Sequence, residues 1–306
     1  MIFLGLDTSN YTTSIAALSE YYAKNVSRLL PVPEGQMGLR QSDALFHHVR
    51  QLPLLSGELF SSMPEKNIHA IGVSTRPRDV EGSYMPCFLA GESFAQVLSQ
   101  ALNCPIYRFS HQQGHIAASA WSSGHMELLD VPHLAWHLSG GTTELLHVVP
   151  DGRIVHADRI GGTTDISAGQ LIDRCGKLLG LPFPSGSALD RLSTASDSSA
   201  CFHIRLKNLD FSFSGVQNKV ESFYSGGASA EQTARYVLLS VIHAVIDATE
   251  AAMKAYPELP IVFSGGVASN SMLRESTREM KPYFALPEYS TDNAMGIAVL
   301  TSRMEE

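Results

Sequence analysis

The chain has 306 residues, 44% hydrophobic and 17% charged, and a formal net charge of −8 from 22 Lys/Arg and 30 Asp/Glu. That length provides for one large or two medium domains with substantial cores, and the acidic balance excludes a global cationic field, so nucleic acid would have to be met through a local basic patch or a basic partner. The cysteines (Cys87, Cys104, Cys175, Cys201) are far apart with no Cys-x-x-Cys pair, which excludes a zinc ribbon and points to reduced thiols; with no leader-like N-terminus and no 18-residue apolar run, the expectation is a cytoplasmic protein without a membrane span.

In chain order, "MIFLGLDTSNYTTSIAALSE" predicts strand, polar turn, strand, with the turn built from Asp7, Thr8, Ser9, Asn10 and Thr12. "NIHAIGVST" predicts a buried strand and "MPCFLAGESFAQVLSQALN" a long amphipathic helix. Close to the midpoint, "VPHLAWHLSGGTTELLHVVPDG" repeats the strand–turn–strand grammar. Two halves of related architecture satisfy that spacing, and so do two unrelated hairpins. "LDFSFSGVQNKV" reads as a strand with Ser212 and Ser214 alternating against Phe211 and Phe213, and "TASDSSA" at 194–200 as a surface loop. "TARYVLLSVIHAVIDATEAAMKAY" predicts a periodic helix with Pro257 and Pro260 beyond its end. "LPIVFSGGVASNSMLRESTREM" predicts a short strand, a Gly-Gly turn and a helix. Strands alternating with helices indicate an α/β protein.

Three features could carry chemistry. The turn Ser139-Gly140-Gly141-Thr142-Thr143 would let backbone N–H groups approach an anion, because glycine has no Cβ to block it. Gly265-Gly266, opening a helix after a strand, would aim a helix N-terminus at a ligand. Together the turns suggest a clamped nucleotide, while the lack of GxGxxG or GxxxxGK[ST] there disfavours a dinucleotide fold or P-loop. Second, Asp165, Asp173 and Asp190 punctuate 161–193; Asp173 could face a sugar hydroxyl or be an ordinary solvated carboxylate. Third, His111 and His115 in "YRFSHQQGHIAASAW" stand four apart on one helical face. The spacing suits a divalent metal, and it also suits two ordinary helix-end histidines. Gln112 stands where a metalloprotease would need its glutamate base, which opposes a protease. Asp292 in "YSTDNAMGIAVL" offers a third ligand, or an N-cap for the last helix.

Taken in order, these stretches resemble the TsaD-type (Gcp) tRNA threonylcarbamoyladenosine synthases over nearly the whole chain. "FLGLDTSNYTTSIAAL" is similar to the family's opening hairpin and "HHVRQLPLL" to its histidine-containing helix. "SHQQGHIAAS" matches its HxxxH, and "LSGGTTEL" its Ser-Gly-Gly-His-Thr turn. "ISAGQLIDRCGKLLGLPFPSG", "LDFSFSGVQNKV", "VFSGGVASNSMLR" and "TDNAMGIA" follow in the family's order. The resemblance implies a two-lobed actin/sugar-kinase/Hsp70-like (ASKHA) α/β fold with a central cleft. Residues 1–132 would form the lobe with HxxxH, and 133–306 the lobe with the glycine turns, its last helix packing back on the first. It implies one divalent metal, iron or zinc, on His111, His115 and Asp292. It further implies an adenine nucleotide or threonylcarbamoyl-adenylate contacted by Asp7, Ser139, Gly140, Gly141, Asp173, Gly186, Gly265, Gly266 and Asn270. The implied reaction passes the threonylcarbamoyl group to N6 of the anticodon-adjacent adenosine of tRNA, in a complex with partner proteins.

The sequence also departs from the family pattern. Arg76 and Arg78 bring charge into a loop that is small in the family, Thr142 replaces a histidine, and Gln113 an acidic residue. At the first turn Asp7 survives, but the positions after it are Asn10, Tyr11 and Thr12. These changes keep two alternatives in view: a paralogue using a related carbamoyl-adenylate on another acceptor, with Arg76 and Arg78 on its anionic group, and a non-catalytic nucleotide-binding scaffold.

Overall fold

The computed structural model describes residues 1–9, 11–32 and 39–306, so the expectation for Asn10 lies outside the described residues. The chain forms two α/β units. One comprises Met1–Val131 with Val149–Ala157 and Glu288–Glu306, the other Pro132–Val148 with Asp158–Pro287.

The first unit is built on strands β1 (Ile2–Asp7), β2 (Thr12–Ser19) and β3 (Tyr22–Leu29), helix α1 (Gln41–Ser62), β4 (Ile68–Arg76), α2 (Phe88–Leu102), β5 (Ile106–Ser110) and α3 (His111–Ser122). Its sheet order is β3-β2-β1-β4-β5; β1, β2 and β3 pair antiparallel, whereas β4 and β5 run parallel to β1. Every residue of β1 is buried, as expected of a central strand covered on both faces. Ile2, Leu4 and Leu6 join Leu52, Leu55 and Leu59 of α1 in one core. On the other face lies the chain's last helix, Met295–Met304. A Cβ on Gly5 would overlap the carbonyl of Ala294 at the start of that helix. α3 begins directly at the end of β5 with a capping box: Ser110 Oγ accepts from Gln113 N at 3.2 Å, and Gln113 Oε1 accepts from Ser110 N at 2.8 Å.

The second unit contains β6 (His133–Leu138), β7 (Thr143–Asp151), β8 (Ile154–Thr163), α4 (Ala168–Leu178), α5 (Gly186–Ser193), β9 (Asp210–Phe211), α6 (Ser214–Ser225), α7 (Ala230–Ala255), β10 (Ile261–Ser264), α8 (Ser271–Ser276) and β11 (Tyr283–Phe284). The helix Met295–Met304, α9 in this numbering, returns to the first unit. The sheet order is β11-β10-β6-β7-β8-β9. β8-β7-β6-β10-β11 thus repeats the neighbour order β3-β2-β1-β4-β5, again with parallel strands on the far side of the opening hairpin, so related halves are the better reading of the sequence. The tip 149–157 is grouped with the first unit, where Val155 O accepts from Gln113 Nε2 at 2.8 Å.

α7 is long and apolar enough to cross a membrane. It is nevertheless a core helix: Val237, Val241, Val245 and Ala248 are buried with Trp136, Phe211 and Phe213, and Trp136 Nε1 donates to Thr249 Oγ1 at 2.8 Å.

Two local expectations are corrected. "LDFSFSGVQNKV" is not a strand: only Asp210 and Phe211 pair with β8, and α6 begins at Ser214. The Asp165 carboxylate decides this. It accepts from Ser212 Oγ at 2.5 Å, Phe213 N at 2.8 Å and Ser214 N at 3.2 Å, satisfying amides that open α6. Burial pushes the Asp165 pKa up, but these donors outweigh it and hold the carboxyl well below its usual range. Nor does a helix open on Gly265-Gly266. A 3-10 turn over Gly266–Ser269 intervenes, and α8 starts only at Ser271, with Asn270 Oδ1 accepting from Leu273 N at 2.9 Å.

α3 and α9 cross closely at two glycines, Gly114 and Gly296. A Cβ on Gly296 would overlap Gly114 O and sit 2.7 Å from Ala118 N. Gly296→Ala should therefore destabilise the protein by about 2 kcal/mol or more, read as a lowered urea midpoint. A second prediction concerns His48, whose Nδ1 meets Thr13 Oγ1 at 2.8 Å while Nε2 lacks a partner among the described residues. Burial lowers its pKa to about 4, against the raising influence of Asp7. The unfolded chain, with the ordinary value near 6.5, then binds more protons than the folded one between pH 6.5 and 4. Stability is present above pH 6.5 and lost as pH falls towards 4. Between pH 7 and 4.5, wild type should lose about 2 kcal/mol more than His48→Leu by denaturant titration.

Candidate functional site

In the first unit, the carboxyl ends of three parallel strands meet. β1 ends at Asp7, β4 carries Ser74 near its end, and β5 runs into His111. This edge of an open α/β sheet is where ligands characteristically bind. Asp7 is fully buried and accepts from Ser74 Oγ, from Ser9 Oγ at 2.7 Å, and from His111 Nδ1 at 3.1 and 3.2 Å. Burial pushes its pKa up, but the charge and hydrogen bond of His111 and the two hydroxyls bring it below the usual range.

One helical turn on, His115 Nε2 lies 2.9 Å from His111 Nε2, and Asp292 Oδ1 lies 3.6 and 3.5 Å from the two. Asp292 does not cap α9; Asn293 Oδ1 accepts from Met295 N at 3.0 Å instead. Two imidazole nitrogens this close need a proton or a cation between their lone pairs. Burial lowers the His111 pKa, but Asp7 and Asp292 raise it to about 9 overall, whereas burial and the neighbouring His111 lower that of His115. The donor set fits a metal. The three atoms lie within 4.8 Å of one another, and their spacings bracket the ~3.3 Å edge of a tetrahedron with ~2.0–2.1 Å metal–ligand bonds. Asp7 on His111 Nδ1 is the outer carboxylate that orients such a ligand.

The altered positions beside this group are engaged within the protein. Arg76, the last residue of β4, pairs with Asp79 three residues on, and Gln113, buried, closes the α3 capping box. A carboxylate at 113 could not make the donation to Val155 O.

The other predicted site residues belong to the second unit. Ser139 Oγ accepts from Gly141 N at 3.3 Å and Thr142 N at 3.0 Å, closing the turn on itself. The start of α4 packs there, with Gly169 N donating to Ser139 O and Ser167 Oγ to Gly140 O. Gly140, Gly141, Gly186 and Gly266 have negative φ and no atom among the described residues within 4 Å of where a Cβ would be. Among the described residues no backbone angle or packing contact calls for glycine at these four, and Gly57 and Gly215 are equally open. Gly265 differs: its φ is 89°, and a Cβ would overlap the carbonyl of Leu138. Asp173 is half-buried and accepts from Ser185 N at 2.8 Å, with burial raising its pKa. Asn270 caps α8 and also donates to Asp190 at 2.9 Å; Asp190 further accepts from Ser271 N and Oγ. The organising role of Asp190, and those of Ser9 and Ser74 around Asp7, were not read from sequence, because isolated Asp and Ser residues carry no spacing signal.

Residues 35–299 match the family model of TsaD, tRNA N6-adenosine threonylcarbamoyltransferase. A tRNA N6-adenosine threonylcarbamoyltransferase of Carboxydothermus hydrogenoformans is 30% identical over 97% of this chain and 90% of its own length. Among solved structures, full-length HypF in its phosphate- and nucleotide-bound form aligns with a TM-score of 0.62 at 14% identity, over 98% of this chain and 46% of that one. The ROK hexokinase of Thermus thermophilus aligns with a TM-score of 0.52 at 17% identity over the whole of both chains. These likenesses establish the actin/sugar-kinase/Hsp70-type α/β fold.

Asp7→Asn should keep the hydrogen-bonded frame but lower metal affinity about 10–100-fold, as measured by competition with a chromogenic chelator. His111→Ala should abolish metal uptake at this group.

Proposed function

The chain belongs to the TsaD family of tRNA N6-adenosine threonylcarbamoyltransferases, and from that premise we propose that it transfers a threonylcarbamoyl group from threonylcarbamoyl-adenylate to N6 of the anticodon-adjacent adenosine of tRNA. The observation that carries the reading is the convergence of His111, His115 and Asp292, with Asp7 behind His111, in a chain of this family. In the reaction a bond forms between N6 and the carbamoyl carbon. The bond from that carbon to the phosphate oxygen breaks, AMP leaves, and N6 gives up a proton.

The mixed anhydride is already activated, so the protein's task is positioning and charge stabilisation. A divalent metal, iron or zinc, held by His111, His115 and Asp292 would supply Lewis-acid polarisation of a carbamoyl or phosphate oxygen. Asp7 fixes the His111 ring and its Nδ1 proton, so that Nε2 faces the ligand side. The open faces of Gly140, Gly141, Gly186 and Gly266 support a nucleotide lying against the backbone there. Asp173 serves the nucleoside end through its second oxygen, since Oδ1 is taken by Ser185 N. Asn270 acts mainly by holding its turn against Asp190.

A partner protein would supply the basic surface for tRNA that a net charge of −8 does not. An apolar groove between α1 and α2, lined by Leu45, Val49, Leu89, Phe94 and Val97, is a surface such a partner could cover. The reaction would take place in the cytoplasm.

The test supplies the chain with the adenylate-forming enzyme, bicarbonate, threonine, ATP, family partner proteins and unmodified tRNA. Mass spectrometry of digested tRNA should show the threonylcarbamoyl nucleoside, and His111→Ala should lose it. Adenylate consumption without tRNA modification would move the acceptor elsewhere, and no consumption with all components present would reject transfer. Gly141→Ala should fold with an unchanged thermal midpoint but raise the apparent KM for the adenylate about tenfold, or ~1.4 kcal/mol.

A further inference from the structure

A second group of metal-ligating side chains lies within the second unit, and the reaction above makes no use of it. Cys201 Sγ is 3.5 Å from His203 Nε2 and 3.3 Å from His243 Nδ1, and the three donor atoms lie within 4.8 Å of one another. The local sequence explains the convergence. Cys201 and His203 are two apart on a stretch without regular secondary structure, and the Cys201 thiol reaches both imidazoles. That stretch is fastened to α7, which carries His243: Phe202 N donates to the buried Ser240 Oγ at 2.8 Å, three residues before His243. Arg235 Nε, also on α7, donates to Ser198 O at 2.8 Å. The His203 and His243 rings stack at 5.1 Å with 16° between their planes.

We propose that Cys201, His203 and His243 form a zinc site that clips the 196–206 segment to α7, with a fourth position open to water. A tetrahedral zinc with Zn–S of ~2.3 Å and Zn–N of ~2.0–2.1 Å places sulfur ~3.6 Å from each nitrogen, close to the separations found. One thiolate and two imidazoles suit zinc rather than magnesium or calcium. His203 is exposed, which gives the ion an entry path, while Cys201 and His243 are partly buried. Zinc binding displaces the Cys201 thiol proton and creates the S–Zn bond. The group lies in the other unit from His111, His115 and Asp292 and does not depend on their role.

Cobalt(II) tests this directly, because only a site containing cysteine gives a thiolate-to-cobalt charge-transfer band. The full chain, stripped of metal with a chelator, should bind cobalt with such a band, saturating at one equivalent in His111→Ala, where the other metal-binding group is removed, and zinc should displace it. Cys201→Ser and His243→Ala should each remove the band, and His203→Ala, at an exposed position, should weaken binding by about tenfold or more. His111→Ala should leave the band intact. Zinc should slow amide hydrogen exchange across 198–205 in wild type but not in Cys201→Ser. Absence of the band in wild type, or its survival in Cys201→Ser, would overturn the site and leave a thiol hydrogen-bonded to two imidazoles. If Cys201→Ser lost its native circular dichroism, His203→Ala would decide: unchanged cobalt affinity would overturn the proposal.

Discussion

The crossing of α3 and α9 at Gly114 and Gly296 is the contact on which the candidate metal centre depends. α3 carries both histidines, and the loop entering α9 carries Asp292 nearly two hundred residues later in the chain. The helices approach until the Gly296 Cα faces the Gly114 carbonyl, a separation with no room for a methyl group. Gly5 permits α9 the same close approach to β1, the strand that ends in Asp7. Three small residues therefore bring the first-turn carboxylate, the two imidazoles and the distant aspartate to one place.

The same region shows why the protein tolerates a concentration of buried polar groups. Asp7 is not stabilised by solvent; hydroxyls from Ser9 and Ser74 and the His111 ring replace water around it. His111 is in turn held between two carboxylates, while burial and its neighbour His111 lower the pKa of His115. Such a network is costly to leave partly paired. A cation bound among three of its members would satisfy them together.

The second unit separates residues that shape turns from residues that leave space. Asp165 and Asp190 each gather several donors and fix the starts of α6 and α8. Gly265 is required by its backbone angle. Gly140, Gly141, Gly186 and Gly266 are held by no such backbone angle or contact among the described residues.

Much of this was legible in the sequence. The strand–turn–strand units, α2, α7 and the alternation of strand and helix follow from periodicity and turn chemistry, which act over a few residues. His111 and His115 were visible as a pair because one helical turn relates them. Local pattern misread 209–220, where the amides that open α6 are satisfied by Asp165, more than forty residues away, and it misplaced the helix after Gly265-Gly266, which Asn270 caps. The grouping of 149–157 with the first unit, the service of Ser74 to Asp7, and the meeting of Cys201 with His243 across 42 residues are all tertiary. The sequence by itself determined which residue types were present and which segments would be strands or helices, because backbone preference and side-chain period are local. Only the tertiary structure decided which lone pairs face one another, since contacts between distant segments are set by how closely the elements carrying them can pack.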